Sequence, residues 1–182
     1  MRRHLATLSI TLSALALTGC GADTTAKTDA TTPSATPTPT TSPPTPIAPS
    51  MPAAAQAKTR AGAEAFVEHY FAVMAHAGST GVTDELRALS DPDCAGCKGI
   101  ADGIDKVHAE GGQITGGHWH PVTFRTYGFD GDLYPIDIDV NAESQTVRES
   151  AEAPTKVFKG GTATHFLELR WSGAWKVQEL DK

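Results

Sequence analysis

The spacing of apolar residues divides residues 58–182 into a helical part and a strand part. Between Lys58 and Ala77, apolar side chains recur at the period of a helix and Gly78 follows as a stop signal. This pattern predicts a long core helix. A short helical segment is predicted within Thr83–Leu89, and a third helix is predicted from near Ala95 to Ala109.

The rest of the chain alternates with the period of two that is typical of half-buried strands. Strands are predicted over Ile114–Tyr127, Tyr134–Val140 and Thr162–Trp171, and over Trp175–Glu179 after a turn at Ser172-Gly173. Weaker strand pieces are predicted over Thr146–Phe158, and a hairpin turn is predicted at Asp130–Asp132. Helices followed by an antiparallel meander predict the α+β class, with the N-terminal helices packed on a curved antiparallel sheet.

A separate pattern marks the N-terminus. Arg2 and Arg3 precede a thirteen-residue apolar run, residues 5–17, which is too short to span a bilayer because a spanning helix needs about twenty residues. The run ends at Leu17-Thr18-Gly19-Cys20, which matches the cleavage and lipidation signal of bacterial lipoproteins. We therefore expect a signal peptide over residues 1–19, lipidation of Cys20, and attachment to the extracytoplasmic face of the cell membrane. An ordinary secretory signal is the alternative.

Composition changes abruptly after this signal. Residues 20–57 are dominated by Thr, Pro, Ala and Ser and contain almost no large apolar side chain, so they cannot bury enough surface to offset the entropy of ordering. We expect a lipidated, disordered Thr/Pro-rich tether there, extended by its prolines. A single α+β domain is expected over residues 58–182.

Net charge narrows the classes of partner. Removal of residues 1–19 leaves 163 residues, with 13 Lys and Arg against 21 Asp and Glu, a formal net charge of −8. This charge disfavours binding to nucleic acid and gives no attraction to anionic lipid. We therefore expect contact with the membrane through the lipid on Cys20.

A cysteine pair, Cys94-Ala95-Gly96-Cys97, lies at the predicted start of the third helix. In an exported chain whose other cysteine is lipidated, a Cys94–Cys97 disulfide is the simplest interpretation. A redox-active pair is an alternative because a helix N-terminus lowers the pKa of a thiol, although a thioredoxin-like site would need a strand before it. A structural zinc site would need two further ligands.

Three histidines raise the question of a metal site. His118 and His120 are expected on one face of the first predicted strand, together with Phe124, and could form half of a zinc or copper site. In a simple meander His165 would lie at the opposite end of the sheet, so we expect neither a metal nor another cofactor. The sequence contains no phosphate loop, nucleophile elbow or metalloprotease helix motif.

Three stretches carry a resemblance to a known family: residues 62–70, residues 86–97 with their cysteine pair, and residues 111–119 with their paired glycines. Together they resemble an actinobacterial lipoprotein family known as domain of unknown function 6318. The order of elements and the closing Gly173-Ala174-Trp175 are similar to the nuclear-transport-factor-2-like (cystatin-like) cone. The first resemblance implies no catalytic residue, and the cone fold hosts isomerases, ligand binders and partner domains alike.

We interpret the protein as a non-catalytic cell-envelope lipoprotein whose domain binds a small apolar ligand or an envelope protein. The residues expected to line its pocket are Tyr70, Phe124, Tyr134, Ile136, His165 and Trp171. One alternative is that these side chains simply fill the core. Another is a cone-fold enzyme of isomerase or dehydratase type, in which His165 and Tyr134 would work beside a buried carboxylate.

Overall fold

The structure is a computed structural model that describes residues 47–181. The predicted signal peptide, residues 1–19, the lipidation site Cys20 and most of the predicted tether lie outside the described residues. The last part of that tether is described, and it belongs to the folded domain.

Three α-helices come first in the domain: α1 spans Arg60–Thr80, α2 spans Asp84–Ala88 and α3 spans Ala95–Ala109. The side chain of Thr59 caps α1 by accepting a hydrogen bond from the Gly62 amide at 3.0 Å. The helix ends at Gly81, which has a φ of 77°, and not at the predicted Gly78, which is buried within the helix. In the part of the chain that the structure describes, no helix is long and apolar enough to cross a membrane.

Seven antiparallel strands follow: β1 Gln113–Gly116, β2 Trp119–Thr126, β3 Leu133–Ala142, β4 Gln145–Arg148, β5 Thr155–Phe158, β6 Gly161–Trp171 and β7 Trp175–Asp181. They form a main sheet of order β2-β3-β6-β7 and a small sheet of order β1-β4-β5. Both sheets are open. The predicted α+β class, with N-terminal helices packed against antiparallel strands, is confirmed.

The prediction of a simple meander is wrong. The single strand predicted over Ile114–Tyr127 is broken at Gly116 and Gly117, whose φ angles are 68° and 75°. A side chain at Gly116 would place its Cβ 2.4 Å from the Ser144 carbonyl oxygen. This backbone conformation directs β1 away from the main sheet, where it pairs with β4 instead.

The predicted face assignment in β2 is also wrong. The register with β3 shifts between Pro121 and Thr123, so the exposed Val122 is the extra residue of a bulge. The bulge places Trp119 and Phe124 on the inner face, opposite Ala142 and Ile138. His118 and His120 do not share the face of Phe124.

His165 lies closer to β2 than predicted. It pairs with Ile138 of β3, which also pairs with Phe124 of β2. Its ring centroid is 4.3 Å from that of Trp119, because β6 and β2 run in the same direction on either side of β3. Among residues 47–181, no group of three His, Cys, Asp or Glu side chains could hold a metal ion.

The core lies between α1 and the main sheet. Phe66, Tyr70 and Val73 on α1 are fully buried, as are Ile136 and Ile138 on β3 and Leu167 and Leu169 on β6. Burial of each of these large apolar side chains stabilises the fold by roughly 1.5–3 kcal/mol. The helix therefore covers one face of the sheet, as the sequence pattern predicts.

The segment before α1 packs on the domain, so the folded part begins earlier than the predicted residue 58. Ala55 is buried, and the Trp175 indole N–H donates a hydrogen bond to the Ala57 carbonyl oxygen at 2.9 Å. Gly62 permits this close approach, because a Cβ there would lie 2.1 Å from the same oxygen.

One buried residue of α1 is a histidine. The His69 side chain is 1% exposed, and its Nε2 atom lies 3.6 Å from a carboxylate oxygen of Glu85 on α2. Nε2 makes no hydrogen bond to another described residue. Burial lowers the pKa of His69 below its ordinary value of 6.5, and the Glu85 charge only partly opposes this shift.

We expect acid to destabilise the fold through His69. The unfolded chain binds a proton at His69 near pH 6.5 while the folded chain does not, so the free energy of unfolding should fall as the pH decreases through 6.5. In urea unfolding at pH 7.5 and 5.5, His69→Gln should show a smaller loss of stability than the wild type. The control His76→Gln, on the same helix, should keep the wild-type difference; an unchanged difference in His69→Gln would contradict the assignment.

Candidate functional site

A cavity of about 310 Å³ lies between α1, α3 and the small sheet. We call it the α1–α3 cavity. Its lining is apolar or small apart from one amide, and none of the lining side chains is charged: Met74, Ala75, Gly78, Gly99, Ile100, Gly103, Ile104, Ile114, Gly116, Gly117, Trp119 and Gln145. A larger hollow of about 510 Å³ beside β6 and β7 has charged walls that include Asp93, Glu168 and Arg170.

The position of α3 is fixed at both ends. At its N-terminal end, Gly96 lies so close to β7 that a Cβ there would be 2.2 Å from the Leu180 carbonyl oxygen. At its C-terminal end, the His108 Nε2 atom is 2.8 Å from the Gly78 carbonyl oxygen of α1. The cavity lies between these two anchors.

Two of the four α3 residues that line the cavity, Gly99 and Gly103, have no side chain. A Cβ added to Gly99 or Gly103 would have no other atom within 4 Å. Glycine inside a helix costs about 1 kcal/mol relative to alanine. Close packing explains Gly96, but nothing within the described residues explains Gly99 and Gly103, whose effect is to keep the cavity open.

The small sheet supplies the polar group of the cavity. Its register places Gly116 opposite Gln145 and Gln145 opposite Phe158, so these three residues share a face with Ile114. The Gln145 amide lies against the backbone of Gly117. A Cβ added to Gly117 would be 2.5 Å from the Gln145 Nε2 atom. Its side chain makes no hydrogen bond to another described residue, so its donor and acceptor remain available to a ligand.

The family model named "Family of unknown function (DUF6318)" matches residues 34–181. The chain belongs to the DUF6318 family. The predicted resemblance to that family is therefore confirmed. The match begins before the first described residue and covers both walls of the α1–α3 cavity.

Solved structures resemble this DUF6318 chain only distantly. The intermembrane space region of chloroplast protein ARC6 is 16% identical, with a TM-score of 0.49, over 69% of this chain and 96% of that one. A candidate aromatic ring hydroxylase from Novosphingobium aromaticivorans is 17% identical, with a TM-score of 0.40, over 63% of this chain and 82% of that one. No curated protein sequence matches the chain.

The six predicted pocket residues of the DUF6318 chain do not meet around the α1–α3 cavity. Four of them are buried in the core and two are half-buried: Tyr70, Tyr134, Ile136 and His165, then Phe124 and Trp171. None of the six lines the cavity. Their observed position agrees with the alternative that these side chains fill the core.

Sequence reasoning missed the residues that shape the cavity. Gly99 and Gly103 are four positions apart and therefore share a face of α3. A helix with glycines at 96, 99 and 103 is a visible signal in the sequence, because each glycine weakens the helix. The sequence does not show how far each glycine lies from its neighbours in space. That distance distinguishes a closely packed glycine such as Gly96 from one beside open space.

The ionisable groups of the domain offer no acid–base pair to the cavity. Arg87 lowers the pKa of Asp105, Lys98 and Arg87 lower that of Asp102, and Arg125 lowers that of Asp139. These carboxylates are paired at the surface. A general acid would need a position in the cavity, and among the described residues no carboxyl group lines it.

The two cysteines form a disulfide, with an S–S distance of 2.01 Å. Cys94 is the N-cap residue of α3, and its Sγ atom accepts a hydrogen bond from the Cys97 amide at 3.2 Å. Cys94 is 2% exposed and Cys97 is 1% exposed. Redox cysteines need access to solvent, so this burial favours the structural disulfide over the redox alternative.

Alanine substitutions at the three glycines of α3 should change the free energy of unfolding in different directions. Gly99→Ala and Gly103→Ala should each raise the free energy of unfolding by about 0.5–1 kcal/mol, because alanine favours the helix and meets no neighbour. Gly96→Ala should lower it by about 1–3 kcal/mol through the clash with Leu180. Urea unfolding of the three variants measures this contrast, and destabilisation by Gly99→Ala would show that a contact fills its open side.

Proposed function

We propose that this DUF6318 protein is a lipid-anchored cell-envelope protein whose domain binds a small, mostly apolar ligand without catalysing a reaction. The observation that carries the proposal is the α1–α3 cavity. Its volume of about 310 Å³ lies in the range of ligand pockets, which are mainly apolar and contain a few polar groups that orient the ligand.

The chemistry of the cavity lining supports binding over catalysis. None of its side chains is acidic, basic or nucleophilic, whereas an isomerase or dehydratase would need a group that moves a proton. The two residues considered for that role, His165 and Tyr134, lie in the core beside aromatic rings. Neither of the two residues predicted for the enzyme alternative therefore lines the cavity.

The described part of the chain starts on the cavity side of α1. Pro49 lies beside Ala72, His76 and Ser79, in a hollow that shares Ala75 with the α1–α3 cavity. The N-terminal end of the described residues therefore lies beside the proposed binding site.

The anchor is tested by replacing its cysteine. Wild-type protein expressed in a bacterium that processes lipoproteins should partition into the detergent phase, and Cys20→Ala should partition into the aqueous phase, because acyl chains supply the membrane affinity. Cys94→Ala is the matched control and should remain in the detergent phase. Equal partitioning of the wild type and Cys20→Ala would refute lipidation.

The cavity is tested by filling it. N-phenyl-1-naphthylamine, a neutral apolar dye, should bind the mature Cys20→Ala chain and fluoresce. Gly103→Leu should weaken binding at least ten-fold because its side chain would occupy the cavity. Ala109→Leu, which adds leucine at an exposed position of the same helix, should bind like the parent chain. Equal binding by all three chains would place the dye elsewhere and overturn the proposal.

A further inference from the structure

The α1–α3 cavity has walls that define a class of ligand. Its apolar surface comes from Met74, Ile100, Ile104, Ile114 and Trp119. These side chains offer no hydrogen bonds beyond the Trp119 indole N–H. The body of a ligand that displaces water from them must therefore be apolar.

The absence of charged side chains in the lining disfavours an ionic group against the walls of this cavity. Transfer of a carboxylate or ammonium group out of water is costly unless an opposite charge or several hydrogen bonds replace the lost hydration. No lining side chain carries such a charge. A ligand of this cavity should therefore be neutral where it is enclosed.

One side chain can recognise a polar group on the ligand. The Gln145 amide has both a donor and an acceptor and makes no hydrogen bond to another described residue. A ligand amide, hydroxyl or carbonyl group would satisfy it. The cavity thus offers one position on its strand side that can both donate and accept a hydrogen bond.

The opposite wall limits the shape of the ligand. Gly99 and Gly103 leave the backbone of α3 bare on one side, over a length of about 6 Å along the helix axis. A narrow chain can lie against this strip and make close contacts along it. Ile100 and Ile104, which also line the cavity, border the strip on one side, and a globular molecule of equal carbon number would make fewer contacts along it.

We propose that the α1–α3 cavity binds a neutral aliphatic chain that carries one amide or hydroxyl group. The chain lies along Gly99 and Gly103, and its polar group exchanges hydrogen bonds with the Gln145 amide. This inference rests on the proposed binding function and specifies its ligand class. An acyl chain with an uncharged head group is the chemistry that fits.

Three ten- or eleven-carbon probes separate the features of this class. Decanamide has the chain and the neutral polar group, decanoate has the chain with a charge, and 1-adamantanecarboxamide has the polar group on a globular body. Their affinities are measured at pH 7.5 by displacement of N-phenyl-1-naphthylamine from the mature Cys20→Ala chain, which avoids detergent. Decanamide should bind at least ten-fold more tightly than either of the other two.

The protein side of the contact is tested with Gln145→Leu and Gly103→Leu. Gln145→Leu should weaken decanamide binding about three- to ten-fold, the value of one hydrogen bond, when displacement is corrected for the affinity of the same variant for the dye. Gly103→Leu should weaken binding of every probe at least ten-fold, and Ala109→Leu should change none. Circular dichroism of each variant confirms that the fold is intact.

The outcomes distinguish the two proposals. If the dye binds and Gly103→Leu weakens its binding at least ten-fold, but decanoate or 1-adamantanecarboxamide binds as tightly as decanamide, the ligand class is wrong and the binding function stands. An unchanged affinity of Gln145→Leu for decanamide would likewise overturn the ligand class. If neither the dye nor any probe binds the parent chain, the binding function itself is wrong.

Discussion

Burial of the apolar face of α1 against β3 and β6 is the interaction on which the rest of the structure depends. The contact involves fully buried side chains on both sides, such as Phe66 and Tyr70 on the helix and Ile136 and Leu167 on the sheet. Because protein interiors are closely packed, this contact leaves no room for a ligand beneath the helix. The aromatic residues that looked suited to a pocket are instead part of the core.

The cavity lies beside an α3 that is held at both ends and carries two glycines among the residues that line it. Close contact at Gly96 and the bond between His108 and Gly78 fix the helix relative to β7 and α1. The Cys94–Cys97 disulfide closes its first turn. Between these anchors, Gly99 and Gly103 provide no side chain to fill the gap. Two unfavourable residues in the helix are thus the physical origin of the candidate site.

The charged residues of the domain are arranged away from this site. Arg87 joins α2 to α3 through Asp102 and Asp105 at distances of 2.7 and 2.6 Å, and Arg125 binds Asp139 across the outer face of the main sheet. Exposed ion pairs of this kind contribute little to stability. Their position keeps charge at the surface and leaves the cavity to apolar groups and one amide.

Local patterns determined much of this protein from sequence alone. The helical period locates α1 and α3, the alternation of Tyr134, Ile136, Ile138 and Val140 locates β3, and the count of cysteines suggests the pairing that the structure contains. These features depend on neighbours along the chain. Periodicity shows which face of a helix or strand is buried. It does not show which other helix or strand covers that face.

The tertiary structure alone decided which elements pair and where space remains. The break at Gly116 and Gly117 separates β1 from β2, and the bulge at Val122 reverses the alternation of β2. Neither changes the apolar pattern enough to be visible in the sequence. The same holds for α3, in which Gly96 and Gly99 are the same residue type in the same helix. Only the distance to Leu180 shows that the first allows packing and the second leaves a cavity, because that distance is set by residues far away along the chain.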